Sequence, residues 1–182
     1  MNLKLKEQKD ALRAEIKKLK KEISIEEKLK KSHALFALIE NEDFFINART
    51  ILAYWSLPDE VCTHEFIQKW SVTKQFLLPC VNNDDLIIRK FENKNSLVDD
   101  NTFGIGEPIG EEFLDYQKID LVLVPGVAFD KDNNRMGRGK AYYDRFLLKT
   151  PAQRVGLCFK FQFVENVPHD SRDLKVDKVI CG

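Results

Sequence analysis

Three cations and two glycines crowd one short stretch of the chain: Arg135, Gly137, Arg138, Gly139 and Lys140. Glycine lets backbone N–H groups approach a ligand closely. A helix predicted to start just after this stretch adds the positive end of its dipole. Backbone donors beside clustered cations are what a polyphosphate needs. Asp144 follows about one turn later. A carboxylate beside bound phosphates can share Mg2+, which takes one or two carboxylates plus phosphate oxygens. The competing reading is a solvent-facing basic turn with no ligand, because runs of charge are usually surface.

Standard phosphate and metal motifs do not explain the stretch. Walker A requires Ser or Thr after Gly-Lys, and here Ala141 follows Gly139-Lys140, with Asn134 in place of the first glycine. The dinucleotide pattern fails at Tyr142, where its third glycine belongs. Asp130, Asp132 and Asn134 imitate the opening of a calcium loop, but Arg135 replaces its glycine and Ala141 its closing glutamate.

The surrounding elements predict where this stretch sits. Leu121-Val122-Leu123-Val124, ended by Pro125-Gly126, predicts a buried parallel strand, and Tyr142 to Lys149 predicts a helix. The basic stretch therefore falls at a strand's carboxyl end, where open α/β sheets bind ligands. Residues 3–22 predict a basic amphipathic helix, with Leu12, Ile16, Leu19 and Ile23 at helical spacing. Ser24 and Glu27 predict a capping box and a second helix to about Glu40 that buries Leu29, Phe36 and Ile39. Ile51 to Trp55, Phe76 to Leu78 (stopped by Pro79), Leu86 to Arg89 and Arg154 to Cys158 predict strands. Thr63 to Trp70 predicts a helix, and Asp99 to Gly110 a glycine-rich loop. The expected fold is α/β: a single-domain, three-layer sandwich over residues 1–182. Its central sheet is mostly parallel or mixed and flanked by helices, with an N-terminal helical hairpin.

Composition narrows the functional classes. The chain has 182 residues, 43% hydrophobic and 32% charged, a soluble globular balance. Lys plus Arg and Asp plus Glu are 29 each, so formal net charge is zero and nothing pulls the whole molecule toward nucleic acid or membrane. Cys62, Cys80, Cys158 and Cys181 are as scattered as His33, His64 and His169, which gives no zinc-site spacing. The charged start, Met1 to Lys6, has no signal-like apolar run, so the expected compartment is the cytosol.

The stretch PGVAFDKDNNRMGRGKAYYDRFL, residues 125–147, resembles the signature of the 5-formyltetrahydrofolate cyclo-ligase (methenyltetrahydrofolate synthetase) family. Three further regions resemble that family in order. They are Lys9 to Arg13, Trp55 to Val61, and Val167-Pro168 through Asp173 to Asp177. Two departures stand out. Asn134 is read as replacing a family glycine, with Asn tolerated at positive φ. Ala141 is read as replacing a third glycine, adding a methyl near the nucleotide while favouring helix.

The resemblance implies ATP- and Mg2+-dependent closure of 5-formyltetrahydrofolate to 5,10-methenyltetrahydrofolate, with the formyl oxygen phosphorylated and ADP and phosphate released. It implies that Arg135, Met136, Gly137, Arg138, Gly139, Lys140, Ala141, Tyr142 and Tyr143 wrap the ATP phosphates, helped by Lys9 and Arg13. It assigns catalysis to Lys140, Arg138 and Tyr143, Mg2+ to Asp144 and Asp173, and folate contacts to Trp55, Glu60 and Tyr143. Phe103 and Glu107 are expected to close over the substrate. The expected partners are small molecules alone, with no nucleic acid and no membrane, and the expected working unit is a monomer. Two other readings stay open: an ATP-binding relative with an accessory role and no cyclisation, and a nucleic-acid module built on the basic residues 3–31.

Overall fold

A computed structural model describes residues 3–98 and 106–182. Helix α1 (Leu3–Glu22) and helix α2 (Ile25–Ile39) meet at Ser24, whose hydroxyl accepts the Glu27 N–H at 3.1 Å. The Glu27 carboxylate reaches Lys31 at 3.6 Å instead of completing the predicted box. The buried face of α2 is Ser32, Leu35, Phe36 and Ile39, an i, i+3, i+4, i+7 stripe. Leu29 is exposed, contrary to expectation, although it continues that stripe one turn toward the helix start. The inward face of α1 is Lys9, Ile16 and Lys20, with Arg13 between them. Ile16 packs on Val127, Ala128, Met136 and Val167, whereas α2 packs on the sheet, so the two helices are buried against different parts of the molecule.

From there strands and helices alternate. Helix α3 (Asp43–Asn47) precedes β1 (Thr50–Leu52), and helix α4 (His64–Trp70) leads to β2 (Gln75–Asn82), which turns back as β3 (Asp85–Lys90). Short strands β4 (Leu97–Val98) and β5 (Glu107–Pro108) pair with each other. Strand β6 (Leu121–Pro125) is followed by the hairpin β7 (Ala128–Phe129) and β8 (Arg135–Met136). Helix α5 (Tyr142–Phe146) runs into a 3-10 turn at Leu147–Lys149, and β9 (Gln153–Cys158) and β10 (Lys178–Cys181) close the order.

Among the described residues the main sheet has six strands in the order β10-β9-β6-β1-β2-β3, all neighbours parallel except β2 and β3. Interior parallel strands are covered on both faces, which is why Leu121 to Val124 is apolar throughout. Leu121 and Leu123 join Leu35, Phe36, Phe66 and Ile67 on one face. Val122 and Val124 join Phe146 and Leu147 on the other. Helices α2, α3 and α4, the sheet, and α5 thus form three layers.

Three local expectations need correction. Pro79 does not stop β2; the strand runs through it. Strand β1 pairs only with Gln75 to Leu77, so position 79 lacks a neighbour there that would require its N–H. Two residues on, Val81 gives its N–H to the Glu107 carboxylate at 3.1 Å. Strand β1 ends at Leu52, and Tyr54 and Trp55 belong to the loop beyond it. The loop read as Asp99 to Gly110 lies partly outside the described residues, as does Phe103, and its Glu107–Pro108 portion is strand.

Candidate active site

A cavity of about 660 Å3 opens at the carboxyl ends of β1 and β6, lined by Trp55 and Glu60, by Pro125 and Gly126, and by the loop 135–141. Helix α1 contributes Lys9 and Arg13 to its wall, and the C-terminal segment contributes Asp173. The chain is forced to start its loop here by close packing. A side chain on Gly126 would meet the Phe129 ring at 2.4 Å, so only glycine lets β6 turn over that ring.

Asp130 builds the turn that launches the loop. Its Oδ1 accepts the N–H groups of Asp132 and Asn134, each at 3.0 Å, and its Oδ2 accepts the Asn134 side-chain amide and the Val167 N–H, each at 2.9 Å. Burial would raise this carboxyl, but those four donors outweigh it and hold it below the usual carboxylate range. The residue at positive φ is Asn133, at 62°, not Asn134. The glycine-compatible position is therefore one residue earlier than the sequence reading put it, and Asn134 is a buried partner of Asp130.

Ala141 is a second correction. It sits at φ 54° and ψ 21°, left-handed, just outside α5, so helix propensity does not favour it there. Helix α5 has five residues, and no side chain caps it. Its dipole is correspondingly small, which leaves anion binding to the cations and the loop backbone.

Among the described residues, each proposed cation except exposed Lys140 is held by a protein partner. Lys9 meets Asp173 at 2.6 Å, Arg13 gives its Nε–H to the Gly137 carbonyl at 3.1 Å, and Arg135 meets Asp144 at 2.9 Å. The Arg135 side chain is only 3% exposed and also bonds the Pro125 carbonyl, so it lies beneath the loop, at the floor of the cavity it helps line. Asp144 additionally accepts the Leu174 N–H, and Asp173 accepts the Asp170 N–H. Arg138 reaches across the cavity to Asp59 at 2.7 Å and Glu60 at 3.0 Å. The other Glu60 oxygen accepts the Leu57 N–H at 3.1 Å. Buried Lys20 holds Asp59 at 2.9 Å; burial would raise that carboxyl, but Lys20 and Arg138 keep it low.

The remaining expected residues divide by environment. Tyr143 is half-buried, its ring faces Arg135 at 5.7 Å, and its buried hydroxyl has no partner among the described residues. Desolvation, reinforced by Glu60, raises its phenol, so it stays protonated. Tyr142 turns toward the β2–β3 turn and gives its O–H to Asn83. The Met136 side chain packs under α1, and the residue also lines the cavity. Among the described residues no group of three or more His, Cys, Asp or Glu is placed to hold a metal ion.

Sequence reading missed Asp59, Lys20 and the constructive role of Asp130. A signal for Lys20 existed, since Lys9, Arg13, Ile16 and Lys20 share one helix face. The apolar periodicity of Leu12 to Ile23 drew attention to a neighbouring face instead.

Comparisons with known proteins place the chain in a family. The model of the 5-formyltetrahydrofolate cyclo-ligase family matches residues 5–182. The 5-formyltetrahydrofolate cyclo-ligase of Mus musculus is 31% identical over 189 residues, covering 94% of this chain and 92% of the relative. The probable 5-formyltetrahydrofolate cyclo-ligase of Caenorhabditis elegans is 28% identical, over 97% of this chain and 93% of its own. The solved 5,10-methenyltetrahydrofolate synthetase of Aquifex aeolicus superposes with a TM-score of 0.85 at 29% identity, covering 95% of this chain and 89% of that one. The synthetase of Mycoplasma pneumoniae gives 0.75 at 26% identity, covering 94% and 97%. On this match, which takes in the loop, the acid pair and both flanking segments, the chain belongs to the 5-formyltetrahydrofolate cyclo-ligase family.

Proposed function

We propose that this chain converts 5-formyltetrahydrofolate and ATP to 5,10-methenyltetrahydrofolate, ADP and phosphate. The observation that carries the reading is one cavity in which cations from α1 and the 135–140 loop face carboxylates from three separate segments. In the reaction the formyl oxygen attacks the γ-phosphorus and ADP departs. N10 of the same folate then attacks the activated formyl carbon, phosphate leaves with its oxygen, and the N10 proton is lost. Both steps need aligned partners and stabilised phosphoryl charge, not a strong protein nucleophile.

Each residue has a task in that scheme. Lys9, Arg13, Arg138 and Lys140 supply charge to the triphosphate, together with the backbone of Gly137 to Ala141. Arg135 acts from below, holding Asp144 and the Pro125 carbonyl in place. The acids Asp144 and Asp173 suit Mg2+, because both line the cavity and a phosphate-bound Mg2+ needs only one or two carboxylates. When bound, the ion would neutralise phosphate charge. Glu60 offers a carboxylate to the amino-pyrimidine edge of the folate, and Trp55 forms an aromatic wall. The buried hydroxyl of Tyr143 can donate to the formyl oxygen or a phosphate. Glu107 is also on the cavity wall, where its carboxylate accepts the Val81 N–H.

We also infer a cytosolic monomer that acts on small molecules, without nucleic-acid or membrane partners. No described helix is long and apolar enough to cross a membrane. The test is absorbance of methenylfolate on mixing the protein with 5-formyltetrahydrofolate, with and without MgATP. The expected result is product only with MgATP. A flat trace, with ATP binding intact, would overturn the reading.

A further inference from the structure

Trp55 does not hold its place in the cavity wall by itself. Its indole stacks flat on the imidazole of His64, with centroids 4.0 Å apart and planes at 13°. Phe91 flanks the indole at 5.6 Å. His64 is the first residue of α4 and is absent from the cavity lining, so it stands behind the tryptophan. A ring nitrogen of His64 lies 3.0 Å from the Ser56 carbonyl, which fixes the imidazole's rotation.

The loop between these residues is itself clasped. Ser56 gives its N–H to the Thr63 hydroxyl at 3.2 Å, and Thr63 gives its N–H to the Ser56 hydroxyl at 3.1 Å. The Thr63 hydroxyl donates to the Tyr54 carbonyl at 2.5 Å, and Tyr54 gives its O–H to the Val61 carbonyl at 3.3 Å. These bonds hold the backbone on both sides of Glu60, but none constrains the indole of Trp55. Without the imidazole behind it, that side chain would keep only Phe91 and the edge of the core to fix its rotamer.

We propose that His64 is a positioning residue for folate: by stacking on Trp55 it sets the tilt of the wall against which the folate ring lies. This rests on the folate reading of the cavity. Desolvation lowers the imidazole's pKa, so it is neutral near pH 7 and stacks without bringing a charge to the indole. The role is specific to one of the two substrates, because the triphosphate cations come from α1 and the 135–140 loop and His64 contacts none of them.

The experiment compares His64→Ala and His64→Phe with the unaltered enzyme. Ala removes the ring, while Phe restores a stacking ring without the Ser56 bond. An aromatic pair's coupling corresponds to roughly a threefold to tenfold change. His64→Ala is expected to raise the KM for 5-formyltetrahydrofolate by about that factor, leaving the KM for ATP and kcat nearly unchanged. His64→Phe is expected to recover most of the loss. A second readout needs no turnover. With Trp70→Phe as background, Trp55 is the sole tryptophan, and His64→Ala is expected to lower its fluorescence anisotropy and red-shift its emission. An unchanged folate KM, equal changes in both KM values, or an unchanged Trp55 signal would overturn the proposal. Failure of the folate reading would show differently, as absence of methenylfolate with the unaltered enzyme.

Discussion

Ala141→Gly should make this protein more stable, although the same replacement inside a helix costs about 1 kcal/mol. The sign follows from one backbone angle. Ala141 has φ 54° and ψ 21°, where an L-residue's Cβ crowds the following carbonyl. That crowding costs about 1–2 kcal/mol, which glycine avoids. Glycine also loosens the unfolded chain, which offsets about 0.4–1 kcal/mol of the gain. Ala141 is exposed, so its methyl forfeits no buried contact when removed. The net is a gain of about 0.5–1 kcal/mol, or a Tm increase of about 1–4 °C for a chain of this size. Urea and thermal unfolding of both proteins at one pH and concentration measure it. A Tm equal to or below that of the unaltered protein would refute the left-handed assignment and restore the reading of Ala141 as a favourable helix residue.

Three other outcomes are expected. Asp144→Ala strands the Arg135 guanidinium, whose side chain is 3% exposed, and should cost about 3 kcal/mol in urea unfolding; a loss under about 1 kcal/mol would mean that water reaches Arg135. Because the folded Asp130 carboxyl lies below the usual range, its stabilisation is complete above the unfolded value near pH 3.9 and is lost as pH falls through the folded value. Asp130→Asn should therefore lower stability at neutral pH and flatten the acid-side decline, and an unchanged slope between about pH 5 and pH 2 would count against those four hydrogen bonds. Arg138→Ala and Glu60→Gln should be non-additive in kcat/KM by about 0.5–3 kcal/mol, because Arg138 contacts Glu60 directly at 3.0 Å; strict additivity would show that the pair works independently.

What could be read from residue order was whatever depends on local patterning. The apolar run Leu121 to Val124, the Ser24 cap and the cluster Arg135 to Lys140 each declare an element or a charge without reference to distant residues. Pattern also located the loop at a strand's carboxyl end, hence beside a cavity. Partner choice was not legible where an ion pair at the site joins segments far apart in the chain. Lys9 to Asp173 and Lys20 to Asp59 exist only once α1 lies across the β7–β8 hairpin, and Arg138 to Glu60 only once the loop after β8 meets the loop after β1. The same holds for burial of charge, since nothing in the order of residues separates Arg135, under the loop, from Arg138, above it. Backbone sign at Asn133 was likewise decided by the fold, because the turn must satisfy Asp130's four donors before it can satisfy any residue's own preference. Local chemistry thus determined which groups are present, and tertiary packing determined which of them meet, because charge pairing and desolvation act through space and not along the chain.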